Sequence, residues 1–295
     1  MSKSILITGA SSGIGKACAK LFAANGWNVI ATMRDPAKGQ ELRNAGNILV
    51  GRLDVQDNKS IELAVGEGLR RFGGIDVLLN NAGYGQYGVF EAIPRRKVLE
   101  QFEVNVFRPM DVNRAVLPAM RKAGSGVIIN MSSGAGIFTL PMISLYSASK
   151  IALEGFSEAL SFELLPLGIV VKIVEPHGGV NATRFNKRAA AGNAAATELD
   201  DYRAFMQRSA EAFSRMSAAR LIDSDDVAKV VYEAATDGTE RLRYLVGNDT
   251  RGFIKARAEL PDQEYVEFIR SHFREAIGKS SIDDNPPDAP QATHR

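Results

Sequence analysis

Ser4-Ile5-Leu6-Ile7-Thr8-Gly9-Ala10-Ser11-Ser12-Gly13-Ile14-Gly15 is the stretch that decides the fold. A short apolar run ends in three glycines, and a helical pattern starts inside them, with apolar residues recurring from Ile14 through Phe22. This is a strand turning directly into a helix. Glycine allows the tight turn and a close backbone approach, and the new helix points its unpaired N–H groups outward, as a pyrophosphate requires. Gly9, Ser11, Ser12, Gly13, Ile14 and Gly15 are therefore candidates for holding a dinucleotide. The glycine spacing differs from the usual dinucleotide fingerprint, and a turn of this kind can also serve structure alone.

Apolar runs rich in Val, Ile and Leu recur outward from this turn, at 4–8, 28–33, 48–53, 75–80, 126–131 and 168–175. Helical periodicity separates them at 13–25, 57–72, 95–122 and 143–166. Runs without alternation, separated by helix-length segments, predict parallel strands covered on both faces. The fold class is α/β, a doubly wound Rossmann-type parallel sheet of about seven strands with right-handed crossovers. A seventh strand is expected near Tyr244-Leu245-Val246, after a helix at 224–236 capped by Asp223 or Ser224. Residues 1–279 read as one domain, with 181–222 as a helical lid over the carboxyl ends of the strands, where open α/β sheets bind ligands. Residues 251–279 read as extra C-terminal helices, and 280–295, with Asn285-Pro286-Pro287, as a disordered tail.

Composition narrows the function. The formal net charge is +2 with both signs interspersed, which argues against nucleic acid or an anionic membrane as partner. No apolar stretch approaches the roughly 20 residues of a membrane span, and Ile5–Ile7 is too short for a signal peptide. Cys18 is the only cysteine, which suits a reducing compartment and a cytoplasmic protein, and it is expected as a buried small hydrophobe. Three scattered histidines suggest no metal site and no histidine-based triad.

A second constellation lies at Tyr146 and Lys150, four residues apart and hence on one helix face. A phenol of pKa about 10 is a poor base at neutral pH, and a nearby ammonium favours its phenolate. Together with Asn80-Asn81-Ala82-Gly83 and the glycine turn, Tyr146 and Lys150 resemble the short-chain dehydrogenase/reductase superfamily, closely over about residues 3–176. The resemblance implies a nicotinamide cofactor lying across the strand ends. Asp54 would contact the adenine, and Asn81, Ala82 and Gly83 the adenosine ribose side. Asp54 could instead cap the next helix, and the asparagines could satisfy sheet ends.

The same resemblance makes Ser133, 13 residues before Tyr146, the hydroxyl that polarises the substrate oxygen, while Ser132 would bond backbone. Asn105 resembles the helical asparagine that holds a water linking lysine to solvent, and Lys150 would also bind the nicotinamide ribose. Pro176 and Val180 are expected cofactor contacts; His177 stands where the family has glycine, and Thr183 sits late. Met33 falls in the slot that is acidic in NAD enzymes and Arg34 comes just after it, so a 2′-phosphate would meet a guanidinium instead of a carboxylate. NADP(H) is favoured, with NAD(H) possible; Asp35 would start a turn with Pro36 and help cap the next helix.

The stretch from Tyr146 to Gly155, with Ala31–Asp35, is similar to the branch of 17β-hydroxysteroid and retinol dehydrogenases. The expected activity is hydride transfer between the nicotinamide and a carbonyl or secondary alcohol of a small-to-bulky apolar substrate, in a homodimer or homotetramer. A non-catalytic NADP-binding regulator, or an epimerase or dehydratase on the same scaffold, is the alternative.

Overall fold

The computed structural model describes residues 2–177, 199–217, 222–249 and 251–277. Seven parallel strands form one sheet: β1 (Ser4–Thr8), β2 (Asn28–Met33), β3 (Ile48–Arg52), β4 (Val77–Asn80), β5 (Gly126–Met131), β6 (Ile169–Pro176) and β7 (Arg243–Val246). Their spatial order is β3-β2-β1-β4-β5-β6-β7. The order reverses between β1 and β4, opening a crevice at the carboxyl ends of those two strands, where such sheets take ligands.

Both sheet faces are covered, which is why the strand runs lack alternation. On one face, Ile5, Ile7, Val29, Ala31 and Val174 pack against α1 (Gly13–Ala24) and a helix at Ser224–Thr236. Phe22 is fully buried there, edge-on to Trp27 and Tyr232 at 5.1 and 5.0 Å. Burying such a ring contributes about 2–3 kcal/mol. On the other face, Leu6, Ile30, Ile128 and Val171 meet α2 (Asn58–Phe72) and α5 (Ser144–Leu164). The Asp57 carboxylate accepts from the Ser60 N–H at the start of α2, and Gly73 ends it at φ 82°.

Between β4 and β5 the chain forms α3 (Arg95–Phe102), a π turn (Glu103–Phe107) and α4 (Arg108–Ala123) without leaving the helix axis. Pro109 accounts for the irregularity: it has no N–H for the carbonyl of Asn105, four residues back. The widened turn carries Asn105, and such turns concentrate at functional sites.

Downstream of β6, the described residues include α6 (Arg203–Ser217) and α7 (Ser224–Thr236), the latter opened by a reciprocal Asp223–Asp226 capping box. The extra C-terminal helices are α8 (Phe253–Glu259), α9 (Asp262–His272) and a short α10 (Arg274–Ile277). They clamp the loop between β5 and α5: Phe138 packs on Phe253 at 5.1 Å, and the Thr139 N–H donates to the Tyr265 hydroxyl at 3.2 Å. Phe213 of α6 packs on Phe273 at 5.4 Å, tying α6 to the same helices. Of the proposed lid, 181–198 and 218–221 lie outside the described residues, as does the tail from 280. Among the described residues no helix is long and apolar enough to cross a membrane.

Candidate active site

The glycine turn is built to be filled from outside. Gly9 has φ +73°, and a Cβ there would lie 3.1 Å from Ala82 Cα. A Cβ on Gly15 would lie 2.5 Å from both Asn81 Nδ2 and the Gly9 carbonyl. The backbones of the turn and of the Asn81–Gly83 segment thus approach as only glycine permits. Thr8 locks them together: its hydroxyl accepts from the Asn81 and Ala82 N–H groups at 3.0 Å each, and Asn81 Nδ2 donates to the Thr8 carbonyl at 2.9 Å. Ser12 is the N-cap of α1 but its side chain caps nothing, and no acidic residue stands in the first turn. The helix N-terminus keeps unmet donors and a positive field, the chemistry that a pyrophosphate satisfies. The residues present fit a dinucleotide.

At the end of β2, Met33 is buried with its thioether against Gly39, so no carboxylate ends the strand. Arg34 is exposed, and its guanidinium makes no ion pair among the described residues. Asp35 caps the 3-10 turn beyond it, accepting from the Ala37 N–H at 3.1 Å, as the Asp-Pro pair predicts. Asp54 accepts from the Gln56 N–H at 3.1 Å, and the cap of α2 falls to Asp57, which removes the capping alternative for Asp54.

Tyr146 and Lys150 share one face of α5, as their spacing requires, and both are buried. A hydrogen bond joins the Ser133 and Tyr146 side chains. Ser133 also accepts from the Ala135 N–H at 3.2 Å, which fixes the hydroxyl at the end of β5. Ser132 does not bond backbone through its hydroxyl; that group is buried without a partner. The reason is strand alternation, which turns Ser132 toward α5 and leaves Ser133 for the site.

Lys150 Nζ donates to the Met131 carbonyl at 2.7 Å and lies 5.9 Å from the centre of the Tyr146 ring. The expected lowering of the tyrosine pKa by this ammonium belongs to the site with a cationic nicotinamide ring beside it; in the chain alone burial dominates. Burial pushes the Tyr146 phenol up to about 12, opposed by the hydrogen bond from Ser133. Burial also draws Lys150 down to about 8, opposed by the carboxylate of Glu154. Desolvation is the largest influence on each group.

Asn105 is buried, with its whole amide engaged. Oδ1 accepts from the Tyr84 N–H at 3.1 Å, and Nδ2 donates to the Tyr84 carbonyl at 2.9 Å and to Ser149 Oγ at 3.1 Å. Its main-chain carbonyl receives no N–H from Pro109, four residues on. Pro176 ends β6 beside Val246 of β7, and Val180 and Thr183 lie outside the described residues.

Sequence reasoning missed four contributors. Thr8 anchors the turn; Ser149, inside the tyrosine–lysine stretch, ties Asn105 to α5 and donates to the Tyr146 carbonyl at 2.8 Å. Tyr87 packs on Tyr146 with ring centres 5.9 Å apart. Glu154 lies one turn past Lys150 and is nearly inaccessible, and its i+4 spacing was the signal available. Beside Tyr87 a cavity of about 480 Å³ is lined by Val89, Phe90, Met142, Tyr202 and Phe205. The Tyr202 hydroxyl donates to Glu91 across its mouth at 3.1 Å. Cys18 is buried in the core, where desolvation pushes its thiol far up, so it is inert as expected. Among the described residues no group of His, Cys, Asp and Glu could hold a metal.

A fold with a glycine turn at a sheet crevice and a serine, tyrosine and lysine beyond it defines a class of nucleotide-dependent enzymes, and the comparisons with known proteins agree. The sequence profile for short chain dehydrogenases matches residues 3–194. The chain is 36% identical over 281 residues to the uncharacterised oxidoreductase YusZ of Bacillus subtilis, covering 92% of this chain and 98% of YusZ. It is 31% identical over 267 residues to an NADPH-dependent 3-dehydrocapnine reductase of Ornithobacterium rhinotracheale, covering 88% and 93%.

Among solved structures, a short-chain dehydrogenase from Streptomyces avermitilis matches with a TM-score of 0.74 at 32% identity, covering 92% of this chain and 97% of that one. A short chain dehydrogenase/reductase from Burkholderia phymatum in complex with NAD matches with a TM-score of 0.74 at 25% identity, covering 88% and 93%. The chain belongs to the short-chain dehydrogenase family and is an oxidoreductase of its NAD(P)-binding, Rossmann type.

Proposed function

We propose that the protein is an NADP(H)-dependent oxidoreductase that interconverts a carbonyl and a secondary alcohol on an apolar substrate, with Tyr146 as the proton donor and acceptor. The observation that carries this reading is the convergence of Ser133, Tyr146 and Lys150 at the end of β5, across the sheet crevice from an unfilled helix N-terminus. The pyrophosphate would rest on Gly9, Ser11, Ser12, Gly13, Ile14 and Gly15. Asp54 would meet the adenine; Asn81, Ala82 and Gly83 the adenosine ribose; Lys150 and Tyr146 the nicotinamide ribose; and Pro176 and Val180 the ring. Arg34, exposed and unengaged at an acid-free strand end, favours a 2′-phosphate. NADPH relatives and NAD-bound neighbours both occur, so the preference rests on Arg34.

The cofactor supplies the hydride when bound. Ser133 donates a hydrogen bond to the substrate oxygen, and Tyr146, a phenol held protonated by burial, delivers the proton in reduction. Lys150 holds the charge that stabilises the phenolate left behind. The Asn105 carbonyl would bind a water that returns the proton from solvent through Lys150. Tyr87 packs on Tyr146, and the cavity that Val89, Phe90, Met142 and Phe205 line begins at the next residue, Gly88; its apolar lining suits a bulky hydrocarbon substrate. This apolar lining is compatible with the hydroxysteroid and retinol dehydrogenase branch.

Ile151 and Phe162, exposed on α5, and Leu99 and Phe107, exposed beside the π turn, make a face suited to a homodimer or homotetramer. A single buried cysteine fits the cytoplasm. The test is Tyr146→Phe assayed by NADPH oxidation against aldehydes, aliphatic ketones, steroids and quinones. A loss of 10²–10⁴-fold in kcat with intact NADPH binding is expected; near-normal turnover on any accepted substrate would overturn the reading.

A further inference from the structure

A buried acidic pair stands directly behind Lys150, and nothing in the proton transfer uses it. Glu154 lies one turn further along α5, and Glu175 lies on β6 with its side chain on the α5 face of the sheet; both are more than nine-tenths buried. Arg243 of β7 reaches between them, with Nε 3.1 Å from Glu154 Oε2 and 3.8 Å from Glu175 Oε1, while its Nη2 pairs with Glu158 at 2.5 Å. One guanidinium thus faces three carboxylates, two of them desolvated. Full ionisation would leave uncompensated charge in the interior. Glu154 Oε1 and Glu175 Oε1 are both buried without a donor, and one proton held between the two carboxyls would supply it. Burial and the neighbouring carboxylate push Glu175 up to about 8, so the proton resides there at neutral pH.

Glycine makes the room. A Cβ on Gly136 would lie 2.8 Å from Ser132 Oγ and 3.3 Å from Glu154 Oε1, both of them buried polar atoms without a partner. The charged and titratable groups around the pair are Lys150 and Glu158 from α5, Arg243 from β7 and His177 just past the end of β6; the residue after β5 is the neutral Ser132. Lys172 projects from the opposite face of β6, to Asp237 and Tyr244.

We propose that Glu154 is a positioning residue that keeps Lys150 protonated, and that the proton shared with Glu175 and the clamp of Arg243 confine the pair to one negative charge at neutral pH. The geometry for this is the i, i+4 placement of Lys150 and Glu154 on the buried face of α5, in a dry setting where Glu154 is the carboxylate that opposes the desolvation of the ammonium. Glu175 then adds a second charge only as pH rises through the range in which Lys150 would lose its own. The inference rests on the role given to Lys150 in the proposed function.

The test separates the two. The Lys150 ε-amine is titrated by NMR in the full-length, lysine-labelled protein, its resonance assigned by its absence in Lys150→Met. The wild type should titrate near 8, Glu154→Gln about one pH unit or more lower, and Glu154→Asp with the wild type. The falling alkaline limb of kcat for reduction should move with the amine, giving about a tenfold lower rate at a fixed pH on that limb. Coincident Lys150 titrations in wild type and Glu154→Gln would overturn the proposal. If Glu154→Gln does not fold, Glu175→Gln decides: without the second ionisation Lys150 must titrate below the wild type, and an unchanged midpoint refutes the coupling. An active Tyr146→Phe would overturn the catalytic reading while leaving these midpoints as they are.

Discussion

Replacing Gly15 with alanine should damage the cofactor turn even though it improves the helix. Gly15 sits in α1 with ordinary helical backbone, so alanine gains about 1 kcal/mol of intrinsic helix stability. Against this, the new methyl would arrive 2.5 Å from Asn81 Nδ2 and from the Gly9 carbonyl, where ordinary contact begins at 3.4 Å. Both neighbours must retreat by about 0.9 Å. Neither is the loose end of a flexible side chain: Asn81 Nδ2 is held by the Thr8 and Gly9 carbonyls at 2.9 and 3.3 Å, and the other is backbone.

Overpacking of this kind costs roughly 1–3 kcal/mol, and loss of the two Asn81 bonds about 1 kcal/mol each. The net is a destabilisation of about 2–4 kcal/mol, a fall in Tm of roughly 5 °C for a chain of this size. A shift of that length across a pyrophosphate site should weaken NADPH binding at least about tenfold. Thermal unfolding and quenching of protein fluorescence by NADPH measure the two effects. Gly66→Ala in α2 is the control: its methyl would meet only the tip of Arg70, at 3.3 Å, and the variant should gain up to about 1 kcal/mol. If Gly15→Ala is as stable as Gly66→Ala and binds NADPH like the wild type, the close approach of the two backbones is not what the turn depends on.

Arg34→Glu should weaken NADPH binding about 10–100-fold and leave NADH binding nearly unchanged, by titration of each nucleotide; an equal effect on both would remove the 2′-phosphate assignment. Reductive turnover should fall as pH rises through about 8, because Lys150 loses its proton there, well below the midpoint of an exposed lysine; a rate constant up to pH 10 in a pH–rate profile would contradict this. Tyr244→Phe should cost about 1–3 kcal/mol in chemical denaturation with KM unchanged, since its hydroxyl accepts from Lys172 at 2.9 Å and donates to Asp237 on the face away from the site. A shifted KM would mean that this network reaches the substrate cleft.

Much of this molecule is local, and local features are legible in the chain. Strand runs at 4–8 and 126–131 read from unbroken Val and Ile, because both sheet faces are buried and no alternation is imposed. Tyr146 and Lys150 share a face because helix geometry alone brings i and i+4 together, and Asp35 and Asp223 cap because their neighbours along the chain supply the N–H groups. What folding decided are the pairings between residues far apart in sequence. Thr8 serves Asn81; the Asn105 amide serves Tyr84 and Ser149; Arg243 reaches Glu154 and Glu175 only because β6 and β7 are neighbours in the sheet. The proton affinities belong to this second kind. A sequence shows an ammonium one turn from a phenol, but how much water each has lost is a property of the packed interior, and here that loss is the largest influence on both.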